Sequence, residues 1–308
     1  MLQTFSLKLS LIGVLTLTQL MGCQSEVKPS SLTSTRCEQE GDFVWIEAGN
    51  YILGSDRQER DYAYRISAAA AAQQPDKRAK AEASLRQRGW FDGEPDRQVR
   101  SQPSVCMGKN LITNTEYQAF VKATGHRAPF ISAGDYQKQG FLVHPYASVK
   151  PYLWQDQRFP SGKDQHPVVL VSYPDAQAFA QWRGQQDGQS YRLPTALEWE
   201  QAARGNDGRY FPWGNEWQAD ATNWANHGGL QTSEIATYPL SRSPAGVEDM
   251  AGNVFEYTST LTQQVIRQTV VMKGCSWDDS PGFCRAAYQH SRPQHSHHIL
   301  FGFRLVKE

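Results

Sequence analysis

No charge of either sign dominates this chain: its 308 residues hold 31 Lys plus Arg against 31 Asp plus Glu. That balance excludes the global field that draws basic proteins to nucleic acid or anionic lipid, and no nucleic-acid partner is expected. Long apolar runs are missing too. The best candidate, Leu9 to Leu20, is broken by Ser, Thr and Gln and falls short of the roughly 20 apolar residues a spanning helix needs. Cysteine is scarce, at five, and none stands in a CxxC or other zinc-like spacing. Aromatic residues, by contrast, are plentiful, with nine Trp, thirteen Tyr and thirteen Phe. That rules out a disordered chain, and the length suffices to bury a core without disulfide staples.

The N-terminus reads as an export signal over residues 1–22, with Lys8 as its single cation before the short apolar stretch. Leu20-Met21-Gly22-Cys23 resembles the bacterial lipobox, in which a Cys after small residues is acylated and becomes the new N-terminus. Cys23 is thus the expected lipidation site, and 23–41, rich in Ser, Lys and Pro at its start, the expected flexible tether. The domain would face the periplasm from a membrane-held lipid.

Residues 42–308 read as one folded unit with one insertion. Phe43–Ile46, a Gly49-Asn50 turn and Tyr51–Leu53 spell strand, turn, strand. Residues 56–98 break the pattern: Ala68–Ala72 follow Ser67, then Lys, Arg and Glu crowd the sequence to Gly89. High helix propensity with little apolar content predicts a surface helix or ordered insertion with a solvated face. Three helices share one start signal, a hydroxyl three residues before a carboxylate, which satisfies the free N–H groups of a first turn. The pairs are Thr113/Glu116, Ser172/Asp175 and Thr195/Glu198, with Gly125, Gly184 and Gly205 as expected ends. Beyond Gly205 only short strands are legible, Val270–Lys273 and Phe301–Val306 the clearest. The fold class is α+β, with few short helices and much irregular backbone.

Four motifs stand in fixed order: Asn110–Phe120 (NLITNTEYQAF); Arg192–Gly205 (RLPTALEWEQAARG) with Phe211–Gly214; Asp249–Tyr257 (DMAGNVFEY); and Lys273–Trp277 (KGCSW) followed by Gly302–Arg304. Together they resemble the formylglycine-generating enzyme, or sulfatase-modifying factor, family across residues 42–308. The resemblance implies a C-type-lectin-like fold. It also implies one of several roles: oxidation of a substrate Cys by dioxygen at a copper ion between two thiolates, oxidation in siderophore maturation, an accessory domain of ergothioneine synthases, or envelope service without catalysis.

The resemblance further implies that the two thiolates lie two and seven residues beyond the aromatic of a GGS-aromatic stretch. Here the aromatic is Trp277, and those positions are Asp279 and Cys284. Ser276, Trp277, Asp279 and Cys284 are therefore the candidate catalytic residues. A hard carboxylate beside one thiolate does not reproduce a soft Cu(I) site, so formylglycine formation is not expected. Cys275, next to Ser276 on an extended segment, should face the other way, into packing or a disulfide. Four exported thiols allow three pairings; structural bridges are expected above all for Cys37 and Cys106.

Two metal sites are candidates. His290, His295, His297 and His298 crowd nine residues, and His295, His297 and His298 with Asp278 or Asp279 would suit iron or copper; a plain His-rich surface loop is the alternative. The resemblance implies a calcium site at Asp249 and Glu256 by side chain and Gly252 and Val254 by backbone, an all-oxygen set suited to Ca²⁺. A second family calcium site is not expected, because Gln231–Ile235 carries no Asp. The function expected is that of a lipid-anchored, metal-dependent oxidoreductase acting on a peptide or siderophore-type substrate. The alternative is a non-catalytic binding, immunity or assembly lipoprotein whose partner is an envelope protein.

Overall fold

The computed structural model describes residues 33–38, 41–140, 144–264 and 267–308. The signal segment and Cys23 lie outside the described residues. In chain order the elements are α1 (Ser34–Glu38), β1 (Phe43–Ile46), β2 (Gly49–Leu53), α2 (Arg57–Ala71), α3 (Pro75–Gln87), β3 (Gln98–Gln102) and β4 (Val105–Gly108). Then come α4 (Asn114–Thr124), α5 (Ala133–Lys138), α6 (Tyr146–Val149), α7 (Tyr173–Asp187), β5 (Tyr191–Arg192) and α8 (Ala196–Arg204). The chain finishes with β6 (Phe255–Gln264), β7 (Arg267–Lys273), β8 (His290–Pro293), β9 (Phe301–Gly302) and β10 (Val306–Lys307). No described helix is long and apolar enough to cross a membrane.

Three sheets form, in the orders β1-β4-β10-β5, β2-β3 and β8-β7-β6-β9. The stretch read as strand, turn, strand is not a hairpin. β1 pairs with β4 and β2 with β3, so the chain changes sheet at the turn. All three predicted capping boxes are present, at Thr113, Ser172 and Thr195. α4 and α8 end at Gly125 and Gly205 as expected, but α7 runs through Gly184 to a left-handed Gly188. At Gly184 a Cβ would stand 2.6 Å from the Gln189 carbonyl, so that glycine serves close packing rather than a stop.

The expected tether ends in structure. α1 is stapled to β4 by Cys37–Cys106, so the folded unit begins before residue 42. The insertion is ordered, one of the two forms expected, and its two helices differ in burial. α3 buries nothing and is the solvated helix foreseen, whereas α2 buries Glu59, Ala63, Tyr64, Ser67 and Ala68. Its small residues admit the 3-10 turn Pro281–Cys284: Gly282 N donates to Ser67 Oγ at 2.9 Å, and a Cβ on Gly282 would stand 2.6 Å from the Ala63 carbonyl. Beneath this contact lies a sealed ionic cluster. Glu59 receives Arg97, Arg204 and Arg285 at 3.1, 2.9 and 3.2 Å. Arg285 also pairs with Glu94, and Glu200 is held by Arg204 and Lys273, both at 3.1 Å.

Candidate active site

The segment after β7 turns on Gly274, which sits at φ +76° with the Trp199 ring close by. Next, Ser276 N donates to Asp279 Oδ2 at 2.8 Å, and Ser276 Oγ bonds the same oxygen. Serine and carboxylate close a local turn on one another. Trp277 is buried, flanked by His144 at 5.2 Å between ring centroids and parallel to Tyr152. Cys275 and Cys284 are bonded to each other across nine residues of sequence.

That bond corrects the expectation for Cys284. Its sulfur is shared with Cys275 and has no thiolate to offer, while Asp279 is committed to Ser276. Copper between two soft ligands does not fit the arrangement. Cys275 does lie in a disulfide, one of the two roles foreseen for it.

Around Asp279 opens a cavity of about 440 Å³. Asp278, Asp279 and Arg292 line it together with His290 and His298. Trp90, Phe283 and Tyr288 form an aromatic wall, with Phe255 and Phe301 behind the imidazoles. Burial, helped by the charge of Asp278, pushes the Asp279 carboxyl up to about 6, against the opposing pull of the Ser276 bonds and Arg292. Burial pushes His290 and His298 down to about 3, so both rings are neutral near neutral pH. Asp278 Oδ2 is 3.0 Å from His144 Nε2, a carboxylate–imidazole dyad at the cavity edge.

The predicted histidine cluster disperses. His295 is exposed. His297 Nε2 meets Asp175 Oδ2 at 3.2 Å, where His126 Nε2 holds the other oxygen at 2.8 Å. Only His298 of the three turns into the cavity, its Nε2 3.2 Å from the Tyr136 hydroxyl. His295, His297 and His298 therefore cannot share one iron or copper ion as arranged.

The calcium set fares no better. Both Glu256 oxygens are taken by Arg304, at 2.6 and 2.8 Å. Asp249 Oδ2 accepts from Ala236 N at 2.8 Å, and burial pushes this carboxyl up to about 6. The Gly252 carbonyl accepts from Val254 N. With both Glu256 oxygens committed to Arg304, the set as arranged does not offer the two free carboxylates of a charged oxygen cage for Ca²⁺. Among the described residues no three His, Cys, Asp or Glu side chains gather at metal-binding distance.

Residues 29–308 match the sulfatase-modifying factor enzyme 1-like domain. The chain belongs to that family. It is 32% identical over 219 residues to an inactive Cα-formylglycine-generating enzyme 2 of Mus musculus, covering 61% of this chain and 68% of that protein. It is 29% identical over 248 residues to the hercynine oxygenase of Mycobacterium tuberculosis, covering 70% of this chain but 55% of that protein. Against the formylglycine-generating enzyme of the same organism the identity is 34% over 199 residues, covering 51% of this chain and 64% of the relative. The chain thus spans about half to two thirds of the length of these curated relatives. Among solved structures, PvdO from Pseudomonas aeruginosa superposes with a TM-score of 0.61 at 21% identity, covering 86% of this chain and 94% of that one. At that identity the likeness establishes the fold, which is the α+β sulfatase-modifying-factor fold expected from sequence.

Ser276, Trp277, Asp279 and Cys284, singled out from sequence, lie on one loop, and sequence held no sign of the neighbours Trp90 and Tyr288 in the cavity lining or of His144 beside Asp278. His144 stands alone in irregular sequence with no spacing to mark it. Trp90 followed a charge run, and a single Trp there looks like a surface residue.

Proposed function

We propose that this family member is an oxidative enzyme of the bacterial envelope, working in the cavity lined by Asp278 and Asp279, with His144 bonded to Asp278, by a route other than two-thiolate copper chemistry. The observation that carries the proposal is the pairing of a half-buried carboxyl near pKa 6 with a carboxylate-braced imidazole, on the loop that the family resemblance marks as its active segment. Oxidising a C–H, N–H or S–H bond removes a proton as well as electrons, and groups with pKa values near the working pH serve as its acceptors. The contact with Asp278 holds the His144 ring in place beside the cavity. Similarity to an oxygenase supports dioxygen as the oxidant. The substrate class proposed is a peptide side chain or siderophore-type small molecule. Neither copper, iron nor calcium fits the donor sets foreseen from sequence, so no step is assigned to a metal.

Purified full-length protein tests this reading in an oxygen electrode, with Cys-containing peptides and catechol-type siderophore precursors as substrates and with metal content measured in parallel. Uptake of oxygen that drops at least a hundredfold in both His144→Ala and Asp279→Asn supports it. Uptake insensitive to both, or none with any substrate whatever the bound metal, would sink it. The Cys275–Cys284 disulfide favours a second reading, a binding lipoprotein that uses the cavity without turnover; specific ligand binding with no product formation would decide for it.

The proposed location rests on Leu20–Cys23. Wild-type protein should partition with membranes, and Cys23→Ala should release it or leave it unprocessed. Soluble, unacylated wild-type protein would end the anchor proposal.

A further inference from the structure

The cavity is built with an aromatic wall that owes its position to the insertion. Trp90 and Phe91 lie in the turns that follow α3, and the two rings have different roles. Phe91 is fully buried, packed on Tyr64 at 4.7 Å and Phe283 at 5.0 Å, with the Arg285 guanidinium 5.1 Å from its ring centre. Its amide donates to the Tyr64 hydroxyl at 3.2 Å. Phe91 fixes the backbone, and its neighbour Trp90 is left 39% exposed with its ring edge-on to Phe283 at 5.6 Å. Phe283 in turn meets Tyr288 at 5.0 Å. A large ring held open to solvent by a rigid support contributes little to the core, and a cavity wall is where such exposure has a use.

The cavity is lined as well by two carboxyl groups, Asp278 and Asp279, against one guanidinium, Arg292, and two imidazoles held neutral by burial. Two acids against one base leave the interior on the negative side whenever Asp279 is ionised. Indole and phenol faces attract cations through the ring quadrupole, indole most strongly, and carboxylates add direct attraction. An anionic ligand would find Arg292 but would face both acids.

We propose that this cavity selects an organic cation, an ammonium or guanidinium group borne on an apolar or ring-containing body, and that Trp90 is its specificity-determining residue. The inference rests on the reading that this cavity is the working site, and it goes further by naming the charge and shape of what enters.

Benzyltrimethylammonium is the cationic probe and phenylacetate its anionic counterpart of similar ring size, each titrated calorimetrically into the full chain at pH 7.5. The cation should bind at least tenfold more tightly. Trp90→Ala should weaken it by about tenfold and Trp90→Phe by about threefold, with Asp278→Asn also costing about tenfold. The melting temperature of each variant is measured alongside, and the exposed position of Trp90 predicts no change beyond a degree or two for its two variants. Equal or tighter binding of phenylacetate, or full cation affinity in Trp90→Ala, overturns the proposal, as does the absence of cation binding by wild-type protein. Because binding is read without turnover, a protein that binds the cation but consumes no oxygen defeats only the oxidative reading. One that consumes oxygen yet ignores the cation defeats only this inference.

Discussion

On one side of the turn Pro281–Cys284, Glu59, Glu94, Arg204 and Arg285 are sealed from solvent, and every acid meets at least one guanidinium. On the other side Asp278 and Asp279 face a cavity, and their nearest partners are an imidazole and a serine. The same short segment thus borders two opposite treatments of buried charge. Where burial is complete, an unpaired ion would cost several kcal/mol, so ions are matched. Where the carboxyl groups are held by neutral or weakly basic groups, part of their electrostatic capacity is left for a ligand, and the cost appears as a raised pKa at Asp279. Matched charge marks scaffold, and mismatched charge marks a site.

The sharpest way to break this contrast is to unmatch the scaffold. Arg285→Ala strands Glu94 in the interior, takes one of three guanidinium partners from Glu59 and should cost about 3–5 kcal/mol, read as a lowered denaturant midpoint. A loss below 1 kcal/mol would mean that the cluster is not a structural brace. Next in size is the paired change Cys275→Ser with Cys284→Ser. Opening a loop of nine residues should cost on the order of 2–3 kcal/mol by the chain-entropy account, with the cavity still able to bind its probe if the sulfurs serve only structure.

Asp279 sharpens the contrast through pH. Its carboxyl ordinarily titrates at 3.8 but in the fold at about 6. Between those values the folded state keeps a proton that the unfolded chain has released, so stability falls as pH rises through the interval. Asp279→Asn removes that titration. The melting temperature of the variant minus that of wild type should therefore grow from pH 4 to pH 7 and level off above. A difference independent of pH would show that the carboxyl is not desolvated. The smallest effect belongs to α3: Lys77→Ala, on a helix that buries nothing, should move stability by no more than about 0.5 kcal/mol. A larger change would reveal a role for the solvated half of the insertion.

The sequence carried local information well. A hydroxyl and a carboxylate three residues apart act on the same helical turn, so Thr113, Ser172 and Thr195 announced their helices unaided. What failed was long-range. Glu59 reads as a surface acid, because its partners Arg204 and Arg285 are 145 and 226 residues away and hydropathy does not register a matched ion pair. The same blindness made α2 and α3 look alike, although α2 buries five residues and α3 none fully. At the site, the motif order located the loop 275–284. Side-chain pairing within it, Cys284 with Cys275 and Asp278 with the distant His144, leaves no mark in spacing or hydropathy. In the same way Arg304, distant in sequence, claims Glu256, a pairing that the spacing within Asp249–Tyr257 does not register.

The Cys37–Cys106 bond has a mechanical consequence. Any tension applied to the chain ahead of Cys37 passes through the sulfurs into β4, which is flanked in its sheet by β1 and β10. The load then acts on paired strands of that sheet, and the covalent shortcut across a sequence separation of 69 bypasses the stretch that includes α2, α3 and Trp90. A pull on the N-terminus would leave the aromatic wall of the cavity slack, its shape decoupled from the load.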